Sequence, residues 1–128
     1  MTDDRLTLFD PLVSQWFHRR YGTPTNIQNL SWQAISGGEH ILMTAPTGSG
    51  KTMAAFLWAI NELIQGRWST GHTRVLYVSP LKALNNDIQR NLLTPLDQLR
   101  TLYKENKQPF PDIRQVIFPL LKAMIGKP

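Results

Sequence analysis

No cysteine occurs in the 128 residues. That excludes a disulfide partner, a Cys-ligated zinc centre and a thiol nucleophile. The opening residues, Met1-Thr2-Asp3-Asp4-Arg5, are acidic and have no apolar h-region, so no secretory signal is expected. Long hydrophobic runs are missing too. The longest, Met53–Ile60, falls far short of the ~18 apolar residues of a membrane span, so no membrane partner is expected and a cytoplasmic location is the default. His18, His40 and His72 are scattered without ligand spacing such as HExxH, and no metal site is expected from them. Neither an internal repeat nor a low-complexity tract interrupts the chain.

What is present fits a single soluble domain at most, by the prior of roughly 100–200 residues per domain. Hydrophobic residues make up 41% of the chain, an ordinary soluble share. The formal net charge of +5 is unevenly placed. Residues 1–66 carry four Lys/Arg against five Asp/Glu, giving −1, and residues 67–128 carry ten against four, giving +6. A basic half of this kind either meets nucleic-acid phosphate or is a solvated face.

The strongest local pattern is Ala45-Pro46-Thr47-Gly48-Ser49-Gly50-Lys51-Thr52. It follows the phosphate-cradle spacing GxxxxGK[ST], with Ala in place of the first Gly. Gly48 and Gly50 permit backbone turns closed to bulkier residues, so that successive N–H groups can face phosphate oxygens. Lys51 supplies a point charge for the β/γ-phosphates, and Thr52 a hydroxyl for Mg²⁺.

The flanking text supplies the context that such a loop needs. His40–Thr44 reads as a short buried strand after a Gly37-Gly38 turn, and Met53–Gln65 as a helix stopped by Gly66. Upstream, Leu6–Tyr21 has helical spacing and ends at Gly22, and Thr23-Pro24-Thr25 reads as a turn with an N-cap that opens a helix through Gln28, Leu30, Trp32 and Ala34-Ile35. Arg67–Thr73 is a polar connection and Arg74–Val78 a second strand. Pro80 then opens a helix with Leu81, Leu84, Ile88, Leu92 and Leu96 or Leu99 on one face, and Asn106–Asp112 is loop. Strand, helix, strand predicts a right-handed βαβ crossover, hence an α/β fold with a parallel sheet and helices on both faces. Trp16, Trp32 and Trp58 sit among apolar residues and read as core. Trp68, in a polar loop, is either a base-stacking platform or simply half-buried.

Three stretches occur in a telling order: "PTNIQ" (24–28), "APTGSGKT" (45–52) and "YVSPLKALNNDIQRNL" (77–92). Together they resemble the first motor domain of superfamily two DEAD/DEAH-type ATP-dependent helicases, and within these the large helicase-related (Lhr-like) group. "WFHRRYG", "SWQAISGGEHILM" and "MAAFLWAI" resemble it as well, and the likeness covers about residues 9–114. The resemblance implies a RecA-like P-loop NTPase fold, ATP and Mg²⁺ as cofactors, and nucleic acid, DNA in preference to RNA, as partner. It implies that Gln28 reads adenine, whose N6 and N7 suit a bidentate amide, with Phe9 or Phe17 supporting the base. It assigns Thr47, Gly48, Ser49, Gly50, Lys51 and Thr52 to the phosphates, with Thr52 on Mg²⁺ and Lys51 and Thr52 in the catalytic role. Ser79, Pro80, Leu81 and Lys82 match the motif that grips a nucleic-acid backbone. Without the resemblance, Gln28 would read as a solvated helix amide and Lys82 as a surface lysine.

The family's second acidic motif, Asp-Glu-x-His or similar, does not occur in residues 1–128. The acidic residues after Thr52 are Glu62, Asp87, Asp97, Glu105 and Asp112, none adjacent to another. No basic finger from a second motor domain is present either. Phosphoryl transfer depends almost wholly on positioning and charge stabilisation, so this chain is expected to bind ATP better than it turns it over. The motor domain is accordingly expected to be incomplete: residues 1–36 as a helical segment with the adenine motif, 40–114 as the βαβ core, and 115–128 as an aberrant tail. That tail, "QVIFPLLKAMIGKP", departs from the family's Arg-x-Gly-Asp-Thr continuation and carries Pro119 within its apolar run, as a frameshift or misplaced boundary would produce; a C-terminal helix is the alternative. Two other functions remain open from the residues. One is a small phosphotransferase, for which Arg90, Arg100 and Arg114 are too scattered to form a lid. The other is a non-catalytic nucleotide or nucleic-acid binding module.

Overall fold

Aspartate followed by proline sets the first helix. The computed structural model describes residues 5–46, 50–77 and 88–113. After a 3-10 turn at Arg5–Leu8, helix α1 runs over Pro11–Tyr21. Asp10 is its N-cap and accepts from the Leu12 N–H, while Pro11 occupies the first turn, where no N–H is needed. Gly22, at φ 78°, closes the helix with its N–H on His18 O. Helix α2 covers Asn26–Ser36, its N-cap being Thr25 of the expected Thr23-Pro24-Thr25 turn, and α3 covers Lys51–Ile64. Gly66 at φ 74° ends α3 where the sequence places the stop.

A helical stretch then runs from Ile88 to Glu105, and α4 is its regular part, Thr94–Glu105. The sequence predicts a simple amphipathic helix here. Instead Gln89–Leu93 is π-helical, with the Thr94 N–H bonded to Gln89 O, five residues back. Pro95 is the physical reason, because its missing N–H interrupts the i→i−4 ladder at that point. Residues 81–87, which the sequence assigns to the start of this helix, lie outside the described residues.

The four helices share an aromatic core. Trp32 and Phe17 are completely buried, with ring centroids 5.7 Å apart and edge-on. Phe9 meets Trp32 at 4.8 Å and Trp58 at 5.6 Å in the same T-shaped manner, the arrangement that ring quadrupoles favour. Leu57 of α3 and Leu99 of α4 complete the buried cluster. The polar edges of the indoles are satisfied: Trp32 Nε1 donates to Ala54 O at 2.9 Å and Trp16 Nε1 to Gln98 Oε1 at 2.9 Å. These two bonds tie α2 to α3 and α1 to α4. Of the three tryptophans expected in the core, Trp16 and Trp32 lie within it and Trp58 is half-buried against it.

The two expected strands require correction, and the parallel sheet is not confirmed among the described residues. No strand forms among the described residues, and both His40–Thr44 and Arg74–Tyr77 are irregular, with Val78 outside the described part. Leu42, expected to be buried, is 89% exposed, and Leu76 is 72% exposed. Hydropathy marks a segment that could pair, but a strand exists only where a neighbour completes its N–H and C=O ladder. Each segment touches the helices along one side only. Met43 packs against the core, and Tyr77 meets Phe56 of α3 at 4.9 Å.

Candidate nucleotide-binding site

The N-terminal turns of α2 and α3 meet to form the site. Thr25 Oγ1 accepts from the Gln28 N–H at 3.3 Å, and Gln28 Oε1 accepts from the Thr25 N–H at 2.9 Å. This reciprocal capping box folds the Gln28 side chain back over the helix start. It also buries it: Gln28 is only 5% exposed, not the solvated amide that a helix glutamine ordinarily is. Its free Nε2 donates to Gly50 O at 3.3 Å.

Gly50 must be glycine for two reasons. It lies at φ 89°, in the left-handed region, and an added Cβ would stand 2.2 Å from Gln28 Nε2 and 2.9 Å from Gln28 Cδ. One turn further along both helices, Trp32 bonds Ala54 O. Gln28 and Trp32 are four apart on α2, and Gly50 and Ala54 are four apart on α3, so each pair shares a face. The two helices are therefore pinned in register beside the loop.

Lys51 Nζ donates to Ala45 O at 2.5 Å, joining the two shoulders of the loop. Lys51 and Thr52 are both half-buried at the start of α3. Among the described residues no side chain caps this helix start, and no acidic residue lies in its first turn, so its positive dipole end favours an anion. The residues fit a nucleotide phosphate with magnesium. Among the described residues no three His, Cys, Asp or Glu gather to hold a metal ion, and Mg²⁺ beside phosphates needs few protein ligands.

Of the residues singled out in the sequence, Gln28, Gly50, Lys51 and Thr52 come together here. Thr47, Gly48 and Ser49, and also Ser79, Pro80, Leu81 and Lys82, lie outside the described residues. Phe9 and Phe17, the two candidates for supporting a base, are 4% and 0% exposed within the aromatic core. Trp68 is half-buried at the far end of α3, its N–H on Glu62 O. With the 14 residues of α3 between, that is roughly 20 Å from the loop.

A polar network that the sequence did not reveal secures the layer behind the site. Tyr103 Oη donates to Asp10 Oδ2 at 2.5 Å, and the Asp10 N–H donates to Asn61 Oδ1 at 2.9 Å. Asn61 is fully buried within the apolar α3 and reads as an odd polar residue on a core face. That mismatch was the available signal. Burial, with the hydrogen bond to Asp10 second, pushes the Tyr103 hydroxyl well above the usual phenol range. The network joins the cap of α1 to α3 and α4.

Comparison with known proteins bears on the family. The DEAD/DEAH box helicase model matches residues 25–123. The "Lhr helicase/ probable uracil glycosylase" of Mycolicibacterium smegmatis is 48% identical over 111 residues, covering 86% of this chain and 7% of that protein. The "ATP-dependent helicase Lhr-Core protein 2" of Thermococcus barophilus is 46% identical over 122 residues, covering 91% of this chain and 14% of its own length. Among solved structures, Mycobacterium smegmatis helicase Lhr bound to ssDNA and AMP-PNP superposes with a TM-score of 0.74 at 47% identity, over 86% of this chain and 14% of that one. The chain thus spans a small part of the length of the relatives it matches. No helix among the described residues is long and apolar enough to cross a membrane. The family model that matches residues 25–123, with relatives 46–48% identical over most of the chain, leads to one conclusion: the chain belongs to the DEAD/DEAH box helicase family and is similar to its Lhr helicases.

Proposed function

We propose that this chain is an ATP-binding segment of an Lhr-type, ATP-dependent nucleic-acid helicase. The observation that carries the proposal is the gathering of Gln28, Gly50, Lys51 and Thr52 at the start of α3. Gln28 turns an amide toward adenine. Thr47, Gly48, Ser49 and Gly50 wrap the phosphates with backbone N–H groups, Lys51 neutralises the β/γ charge, and Thr52 holds Mg²⁺. Mg²⁺ held there would supply positive charge to offset that of the phosphates. Ser79, Pro80, Leu81 and Lys82 contact the sugar-phosphate backbone of a single strand, DNA in preference to RNA. The AMP-PNP and ssDNA named for the solved Lhr relative support both assignments.

After Thr52, within residues 1–128, no two acidic residues are adjacent and the Asp-Glu-x-His type motif does not occur. On its own this chain therefore binds ATP without measurable turnover. The test is calorimetric titration with Mg·ATP of the wild-type chain and of Lys51→Ala. Binding by the wild type that disappears in the variant is expected, because the variant leaves the phosphate charge unanswered. Equal heats from both would refute the assignment.

A further inference from the structure

We propose that residues 66–74 form a second contact for single-stranded nucleic acid, in which Trp68 stacks on an unpaired base and Arg74 meets a neighbouring phosphate. The loop follows α3 and is separate from the contact assigned to residues 79–82. Near its start stands a tryptophan that the fold does not use. Trp16 and Trp32 are buried, and their indole N–H groups donate to Gln98 Oε1 and Ala54 O. Trp58 packs edge-on against Phe9. Trp68 is half-buried, and among the described residues its ring meets no other aromatic ring and its indole N–H has no acceptor. An aromatic surface left partly in water suits a nucleobase, because every base has a π-face.

The loop has a fixed shape. Gly66 at φ 74° and Gly71 at φ 87° take its two left-handed turns. The Trp68 N–H donates to Glu62 O at 3.2 Å, which ties the tryptophan backbone to the last turn of α3. Arg74 grips Ser69 with two donors, Nε on the carbonyl O at 3.1 Å and Nη2 on Oγ at 2.5 Å. These bonds close residues 69–74 into a small ring beside Trp68. A platform whose backbone is already held loses less freedom when a strand arrives.

Its charges suit a polyanion. No Asp or Glu occurs from residue 63 to residue 86, whereas Arg67, Arg74 and Lys82 do. The carboxylate just before that stretch, Glu62, is 6% exposed and is gripped by Arg67 through Nε at 2.9 Å and Nη2 at 2.6 Å. That ion pair cancels a negative charge that would otherwise repel phosphate. Arg74 is exposed, and among the described residues it pairs with no carboxylate. Ser69 is a neutral partner and takes two of its five N–H donors, so the guanidinium keeps its charge and has donors left for phosphate oxygens. A ring and an unneutralised cation in one loop are the two parts of a single-strand contact. The loop lies at the far end of α3, roughly 20 Å from the phosphate loop, so a strand held there leaves the nucleotide site open.

Fluorescence anisotropy with a labelled single-stranded oligo-dT, at low and rising salt, tests this on the 128-residue chain. Trp68→Ala should weaken binding about tenfold, the worth of one stacked base, and Trp68→Phe should recover most of it. Arg74→Gln should lower the slope of log affinity against log salt by about 0.7, the share of one phosphate on a single strand, and Arg74→Lys should restore it. Lys82→Ala should leave the factor lost with Trp68 unchanged. An abasic strand and a duplex, which offer no free base face, should each bind wild type and Trp68→Ala alike. A loss that is as large on the abasic strand or the duplex as on oligo-dT makes Trp68 merely structural and overturns the proposal. Oligo-dT affinity in Trp68→Ala equal to that of the wild type also overturns it, the result expected if the loop docks a protein surface instead. A wild-type chain that binds no oligo-dT even at low salt overturns both this contact and the one assigned to residues 79–82.

Discussion

The helical layer and the two segments that flank α3 differ in what completes them. The helices satisfy their own backbone, so they need only side-chain burial from their neighbours, and α1, α2, α3 and α4 supply it to one another. Phe17, Trp32, Leu57 and Leu99 are 0% exposed. The segments at 40–46 and 73–77 have comparable hydropathy but form no ladder among the described residues, and Leu42 and Leu76 stand in solvent. Helix hydrogen bonds close within a few residues, whereas strand hydrogen bonds are always made to another segment. The half of the site built on helices, Gln28 and the start of α3, is therefore formed, although the segment leading into the loop is not part of a sheet.

Substitutions can break this comparison, and the largest effect belongs at its centre. Trp32→Ala removes the ring that Phe9 and Phe17 pack against, together with the bond to Ala54 O. A loss of about 3–5 kcal/mol is expected in urea unfolding, enough to abolish folding of a marginally stable chain.

A smaller effect sharpens the role of the buried network. Tyr103→Phe should cost about 1.5–3 kcal/mol at neutral pH, because the lost bond is to a carboxylate. It should also change the pH dependence. The folded state holds the Tyr103 proton more tightly than the unfolded chain, whose pKa is near 10.0. Stability from this group is therefore full below pH 10 and falls as the pH rises beyond it. Denaturation midpoints measured at rising alkaline pH should decline more steeply for the wild type than for Tyr103→Phe.

The smallest effect lies in the flanking segments. Leu76→Ser should shift the unfolding free energy by less than about 0.5 kcal/mol, since a side chain already in water loses nothing by becoming polar. A loss as large as that from Trp32→Ala would mean that the segment is buried in solution.

Legibility in the sequence followed the same division. Thr25, Gly22 and Gly66 mark helix ends because capping is decided within a few residues, and the observed α1, α2 and α3 stop and start where those residues stand. The π turn before Pro95 was legible only as a proline at helical spacing. Strands at His40–Thr44 and Arg74–Val78 were not decidable, because alternating or apolar text states a preference and pairing lies elsewhere in the chain. In the site, residue types at 45–52 point to phosphate chemistry, and the structure places Gly50, Lys51 and Thr52 of that run at the start of α3. The seat of Gln28 on Gly50 did not show, since it joins residues 22 apart. Thr25 and Gln28, three residues apart, have the spacing of a capping box, a local signal that the sequence reading did not use.

Hydrogen exchange followed by mass spectrometry, with and without Mg·ATP, tests the central claim most directly. The helical layer should exchange slowly in both conditions, and residues 40–46 and 73–77 quickly in the free chain, where they lack strand partners. Nucleotide should add protection at Gly50–Ala54 and around Gln28. Uniform protection across helices and flanking segments in the free chain, or no change at Gly50–Ala54 on adding nucleotide, would contradict it.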